Sequence, residues 1–239
     1  MKNFKNVVSV ITLTMVMLVS FNVNAQNKKT GPIILDPGNS TIPDDISRQH
    51  NEMCLDIMEY SGVSGKNSFS KNQQIINEYV AKKYSAQIVK NLDSKTLSSP
   101  YLLLNECEKN ISANMFGSMR SILNKTEGLK KAEIVSVLDK ILTDKNTYSK
   151  LNEVESKNLK RSISLFKGSL ELWSSKQMDA ITTHKGFGAV NSNYKVDPDD
   201  YWKIAACDFV GSFAGLWAGP GGAVGTAVIC SVNAYINQS

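Results

Sequence analysis

The sequence predicts an all-α protein: a bundle of about five amphipathic helices followed by a hydrophobic helical hairpin at its C-terminal end. Three observations predict it. Between Asp44 and Val196 the apolar residues recur at spacings of three and four, the period of a helix, and not at two, the period of a strand. Pro100 is the one proline in that stretch, so long helices meet almost no breaker. From Phe209 to Ser239 no side chain carries a formal charge, and the run is interrupted once, by Gly219-Pro220-Gly221-Gly222.

Residues 1–25 read as an export signal: Lys2 and Lys5, an apolar run from Val7 to Val19, then Val23-Asn24-Ala25 with a small residue before the cut. Cleavage near Ala25 would leave a secreted or periplasmic chain beginning at Gln26. Residues 26–43, rich in Pro, Gly, Asn and Ser, form a linker. It ends in Thr41-Ile42-Pro43-Asp44, a hydroxyl three residues before a carboxylate with proline in the first turn, which suits a helix start.

The bundle then occupies residues 44–173. Its first helix places Ile46, Met53 and Ile57 on one face, and its second, beyond the Gly62–Gly65 turn, uses Ile76, Val80, Tyr84 and Ile88. A third starts at Ser99-Pro100, with Leu103, Cys107, Ile111 and Met115 along one stripe and a weakening at Gly117. A fourth, past Gly128, carries Ile134, Leu138 and Ile141, and a fifth runs from Leu151 to Trp173. Residues 174–197 lose the periodicity and read as an irregular connection that is functional, mobile, or hides a short helix around Met178 to Ile181. Asp197-Pro198-Asp199-Asp200 then caps a helix running from Pro198 toward Ala218.

Residues 198–239 form the hairpin. As one straight rod the dry stretch would reach about 33 Å, enough for a bilayer core of roughly 30 Å. But Gly219-Pro220-Gly221-Gly222 in mid-helix would cost about 6 kcal/mol relative to alanine, about 3 for the proline and about 1 for each glycine. The chain therefore turns at Pro220, Gly221 and Gly222. Folded there, Cys207, Gly211, Gly215 and Gly219 on one arm meet Ala223, Ala227 and Cys230 on the other, two seams free of bulky side chains that let backbones approach closely, as in a glycine zipper. The even cysteine count of an exported chain predicts disulfides. Of the three pairings the seam favours Cys207 with Cys230, leaving Cys54 with Cys107.

The segment "DFVGSFAGLWAGPGGAVGTAV" resembles the hydrophobic glycine-zipper segments of bacteriocin-type peptides, and an all-helical body ending in such a hairpin is similar in outline to colicin-type pore-forming domains. The resemblance covers residues 207–236. It implies insertion into a membrane by an exported antagonistic protein.

Charge and motifs exclude other classes. The formal charge is +5, and lysines alternate with acids without an aromatic-interleaved basic stripe, so nucleic acid is not an expected partner. Gly219 to Thr226 lacks the lysine of a phosphate loop, Gly186-Phe187-Gly188 lacks the third glycine of a dinucleotide fingerprint, and Ser192 and Lys195 match an SxxK spacing only within a loop. His50 and Cys54 share a helical face, but a cysteine expected in a disulfide cannot bind zinc. No cofactor, metal or catalytic residue is expected, and His184 is the one loop residue with functional promise. The expected function is that of a non-catalytic binding or interaction protein with an unidentified protein or membrane partner. The alternatives are a membrane-active protein that inserts its hairpin, or an enzyme using the 174–196 loop.

Overall fold

The computed structural model describes residues 41–84, 93–187, 200–216 and 220–236. The expected signal peptide and most of the linker lie outside them, as do Gly219 and residues 188–199. The fold is all-helical: eleven α-helices, one 3-10 turn and no strand among the described residues.

Helix α1 spans Ile46–Tyr60 and α2 Phe69–Tyr84. At the end of the expected linker Ile42 is fully buried, its N–H donates to Asn158 Oδ1 at 2.8 Å, and its carbonyl accepts from Arg161 at 2.6 Å. Arg161 also pairs with Asp44. The helix begins later than the capping pattern predicts, after Asp45.

Helices α3 (Ser94–Leu97) and α4 (Pro100–Cys107) follow. Ser99 caps α4, its hydroxyl accepting from Leu102 N, with Pro100 at the first position, where its missing N–H costs nothing. The predicted third helix is in fact two. It stops at Cys107, passes through the 3-10 turn Glu108–Asn110, and restarts as α5 (Ala113–Thr126) under a Ser112 cap that accepts from Met115 N at 3.1 Å. Gly117, where a weakening was expected, is ordinary mid-helix. Gly128, with φ +71°, terminates α5 in the left-handed region that glycine tolerates best.

Helix α6 covers Lys131–Thr143, α7 Lys145–Tyr148 and α8 Glu153–Trp173. A reciprocal cap opens α8: Asn152 accepts from Glu155 N at 2.8 Å and Glu155 accepts from Asn152 N at 3.0 Å. Within the segment read as irregular, α9 occupies Lys176–His184 under a Ser175 cap. The last two helices are α10 (Asp200–Ala214) and α11 (Pro220–Ile236).

These two define the centre. Every described side chain from Ile204 to Leu216 and from Gly222 to Ile236 is buried. Helix α10 packs on α11, α8, α4 and α5, and α11 on α10, α1, α2 and α3. Phe166 stacks on Phe209 at 5.7 Å and Trp173 on Tyr235 at 4.9 Å. A helix apolar all round must be enclosed, and the amphipathic helices supply the enclosure.

Candidate functional site

The site begins with the contact between α10 and α11. A Cβ on Gly211 would stand 3.0 Å from Ala227 Cα and 3.0 Å from Cys230 Sγ, and one on Gly215 would collide with the Gly222 carbonyl and Ala223. The register is therefore antiparallel, with backbones as close as side chains usually permit. Pro220 is the first residue of α11, and Gly221 and Gly222 are helical. Pro220, Gly221 and Gly222, expected as turn residues, therefore open a helix instead: proline is favoured at a helix start, where no N–H is needed.

Asp208 of α10 is the last charged residue of the chain and is 0% exposed. Its Oδ2 lies 3.1 Å from His50 Nε2 of α1 and accepts from the Ser169 hydroxyl of α8. The same imidazole nitrogen is 3.3 Å from Ser231 Oγ of α11 and 3.4 Å from Cys54 Sγ. Its other nitrogen is 3.0 Å from Asn51 Oδ1, and Asn51 in turn donates to the Gly168 carbonyl at 3.1 Å. That anchor is possible because α1 approaches α8 closely at Gly168, where a Cβ would strike the Ser47 hydroxyl.

Both ring nitrogens of His50 thus face oxygen atoms, Asn51 Oδ1 and Asp208 Oδ2, an arrangement that suits the doubly protonated imidazolium donating from each. Burial opposes that charge, yet the Asp208 carboxylate and Cys54 outweigh it and raise the His50 pKa well above its usual 6.5. Burial raises the Asp208 pKa, against the opposing pull of His50, Ser169 and Ser231. Four helices, α1, α8, α10 and α11, are joined at this one polar point.

No protein-family model matches the chain, and no curated protein or solved structure does either. The chemistry must be read from the geometry alone.

A thiol, an imidazole and a carboxylate together suggest a nucleophile relay, but the geometry does not make one. In such a relay the base uses one nitrogen for the nucleophile and the other for the carboxylate, whereas here Asp208 and Cys54 both address Nε2. His50, Cys54, Ser169, Asp208 and Ser231 are each 0% exposed, so no substrate reaches them. These side chains are bonded to one another and not arranged around a common point, and no group able to hold a metal ion is found among the described residues.

The disulfides expected for Cys54, Cys107, Cys207 and Cys230 are absent: all four are free and buried. The physical reason is local. Cys230 Sγ fills the notch left by Gly211, and Cys54 Sγ turns to His50 and Ser231. Burial raises the Cys207 and Cys230 thiols well above 9.0 and Cys107 to about 12, so all three stay protonated. His184 is the exposed last residue of α9, with no bonded side chain among the described residues. Sequence reasoning missed the His50–Asp208 pair. The available signals were a histidine on the Ile46–Met53–Ile57 face and a single charge entering an apolar run.

Proposed function

We infer that the protein is an exported, non-catalytic helical interaction protein, in which residues 198–236 form a hydrophobic hairpin that serves as the central layer of a helix bundle. The observation that carries this reading is the burial of α10 from Ile204 onward and of α11 from Gly222 onward, together with an internal partner for Asp208. Several polar groups of these helices are answered from within the fold, Asp208 Oδ2 by His50 and Ser169, Ser212 by Ser162 at 2.6 Å, and Trp202 Nε1 by Thr126 at 2.9 Å, while Asp208 Oδ1, Thr226 Oγ1 and Asn233 Oδ1 have no hydrogen-bond partner among the described residues. What remains to meet a partner is the charged outer surface of the amphipathic helices. Burial also shields the four thiols from oxidation in an exported protein.

Liposome co-sedimentation and dye release test it. The purified protein is expected to stay in the supernatant with anionic vesicles and to release no dye, under reducing and oxidising conditions alike.

One observation favours a second reading, insertion of the hairpin into a membrane. The seam at Gly211 and Gly215 is a direct contact between the two arms, and the outer faces, Phe209, Phe213, Val224, Val228 and Val232, are apolar. At 15 and 17 residues the arms reach about 22 and 25 Å, short of the roughly 30 Å of a bilayer core, and no described helix is long and apolar enough to cross a membrane. Insertion would therefore be a dip by a paired hairpin. Dye release would favour this reading and overturn the first.

A further inference from the structure

A cleft separate from the buried cluster lies between α5 and the α6–α7 corner, with a volume of about 430 Å³. That falls within the range of small-molecule pockets, roughly 300–1,000 Å³. It exists because one face of α5 is cut low: Gly117, Ser118 and Ser121 line it, and a Cβ on Gly117 would meet nothing within 4 Å. Ile122 and Ile141, 2% and 6% exposed, form an apolar floor. The opposite wall offers the amide of Asn146 and the hydroxyl of Thr147.

Charge sets the ligand class. Lys125 and Lys150 both line the cleft, and neither has an ion-pair partner among the described residues. Lys150 is tied to the start of α5, where Asn114 Nδ2 donates to its carbonyl at 3.0 Å. Lys125 lies about 16 Å beyond Asn114 along α5, so the two lysines belong to opposite ends of the cleft. Asp144 also lines it, accepting from Asn146 N at 2.9 Å and Thr147 Oγ1 at 3.1 Å in capping α7, and against the two lysines its carboxylate leaves the cleft lining with a net positive charge. Hydroxyls and amides that both donate and accept suit a polyol, and lysines suit an anion. An extended peptide would need a sheet edge and an amphipathic helix would need an apolar groove, and this cleft is neither.

We propose that the Gly117–Lys125–Lys150 cleft binds a small polyhydroxylated anion, a sugar acid or sugar phosphate. Backbone amide NMR on the purified full chain tests this with three probes: glucuronate, glucose 6-phosphate and neutral glucose, each to about 10 mM, tenfold above a weak 1 mM affinity. At least one anion is expected to shift the Gly117, Ser118 and Ser121 amides, and glucose is not. Which anion acts separates the carboxylate source from the phosphate source. Lys125→Gln and Lys150→Gln should each weaken binding about three- to tenfold. Gly117→Leu should abolish it by filling the cleft. Because leucine is a better helix former than glycine and meets open space here, that variant should melt no lower than the parent. Absence of any shift, equal shifts with glucose, or binding that survives Gly117→Leu overturns the proposal.

Discussion

Asp208 Oδ2 and His50 Nε2 lie 3.1 Å apart with neither side chain exposed, so the one charge in the apolar C-terminal run is answered from the first helix of the fold. Removing one partner of a buried pair strands the other, at a cost of about 3–5 kcal/mol, whereas replacing both with apolar groups of similar size costs far less. His50→Leu and Asp208→Leu should each lower the urea midpoint strongly, and the double variant should be more stable than the sum of the single losses implies. Additive losses in that cycle would show that the two groups do not interact.

The pH dependence has a definite sign. His50 holds its proton above the usual 6.5 because of Asp208 and Cys54, so its contribution is fully present below pH 6.5 and is lost as pH rises through the folded value. Asp208, raised by burial, acts in the same sense from 3.8 upward. Asn51, Ser169 and Ser231, which complete the surroundings, do not titrate in this range. Unfolding free energy should fall as pH rises from about 6.5 toward about 7.5, before unfolded-state thiols ionise appreciably. In His50→Gln the decline should flatten, and a parental slope that this variant leaves intact would show that His50 is not its source.

The glycines separate by what surrounds them. Gly215→Ala drives a methyl into the Gly222 carbonyl and should cost about 1–3 kcal/mol. Gly211→Ala meets Ala227 and Cys230 at 3.0 Å, a tight fit partly offset by helix propensity, and should cost less. Gly117→Ala meets nothing and should gain up to about 1 kcal/mol. Thermal melts of the three variants check the order.

The thiols give a chemical prediction. A disulfide-exchange reagent should label none of the four cysteines in the native protein and all four in denaturant. A non-reducing peptide map that found Cys207 linked to Cys230 would contradict the packing of Cys230 against Gly211.

Helical class and several helix starts were legible because they rest on local signals, as at Ser99-Pro100, where a cap and a proline coincide. The break between α4 and α5 was hidden because Leu103, Cys107, Ile111 and Met115 keep a four-residue spacing straight through it, while Ser112 supplies a competing cap. The disulfide expectation failed because cysteine parity carries no distances. Placing His50 against Asp208 requires knowing how α1 crosses α10 and α11, which no local pattern encodes. The depth of burial of Ile42 was likewise invisible, since it depends on Asn158 and Arg161 of a distant helix.

The most direct test is native-state hydrogen exchange resolved along the chain. If α10 and α11 are the packed centre, amides from Ile204 to Ala214 and from Ala223 to Tyr235 should be the slowest, opening only with global unfolding and tracking denaturant stability. Exchange of these two helices ahead of α8, through an opening that leaves the amphipathic helices protected, would contradict the account.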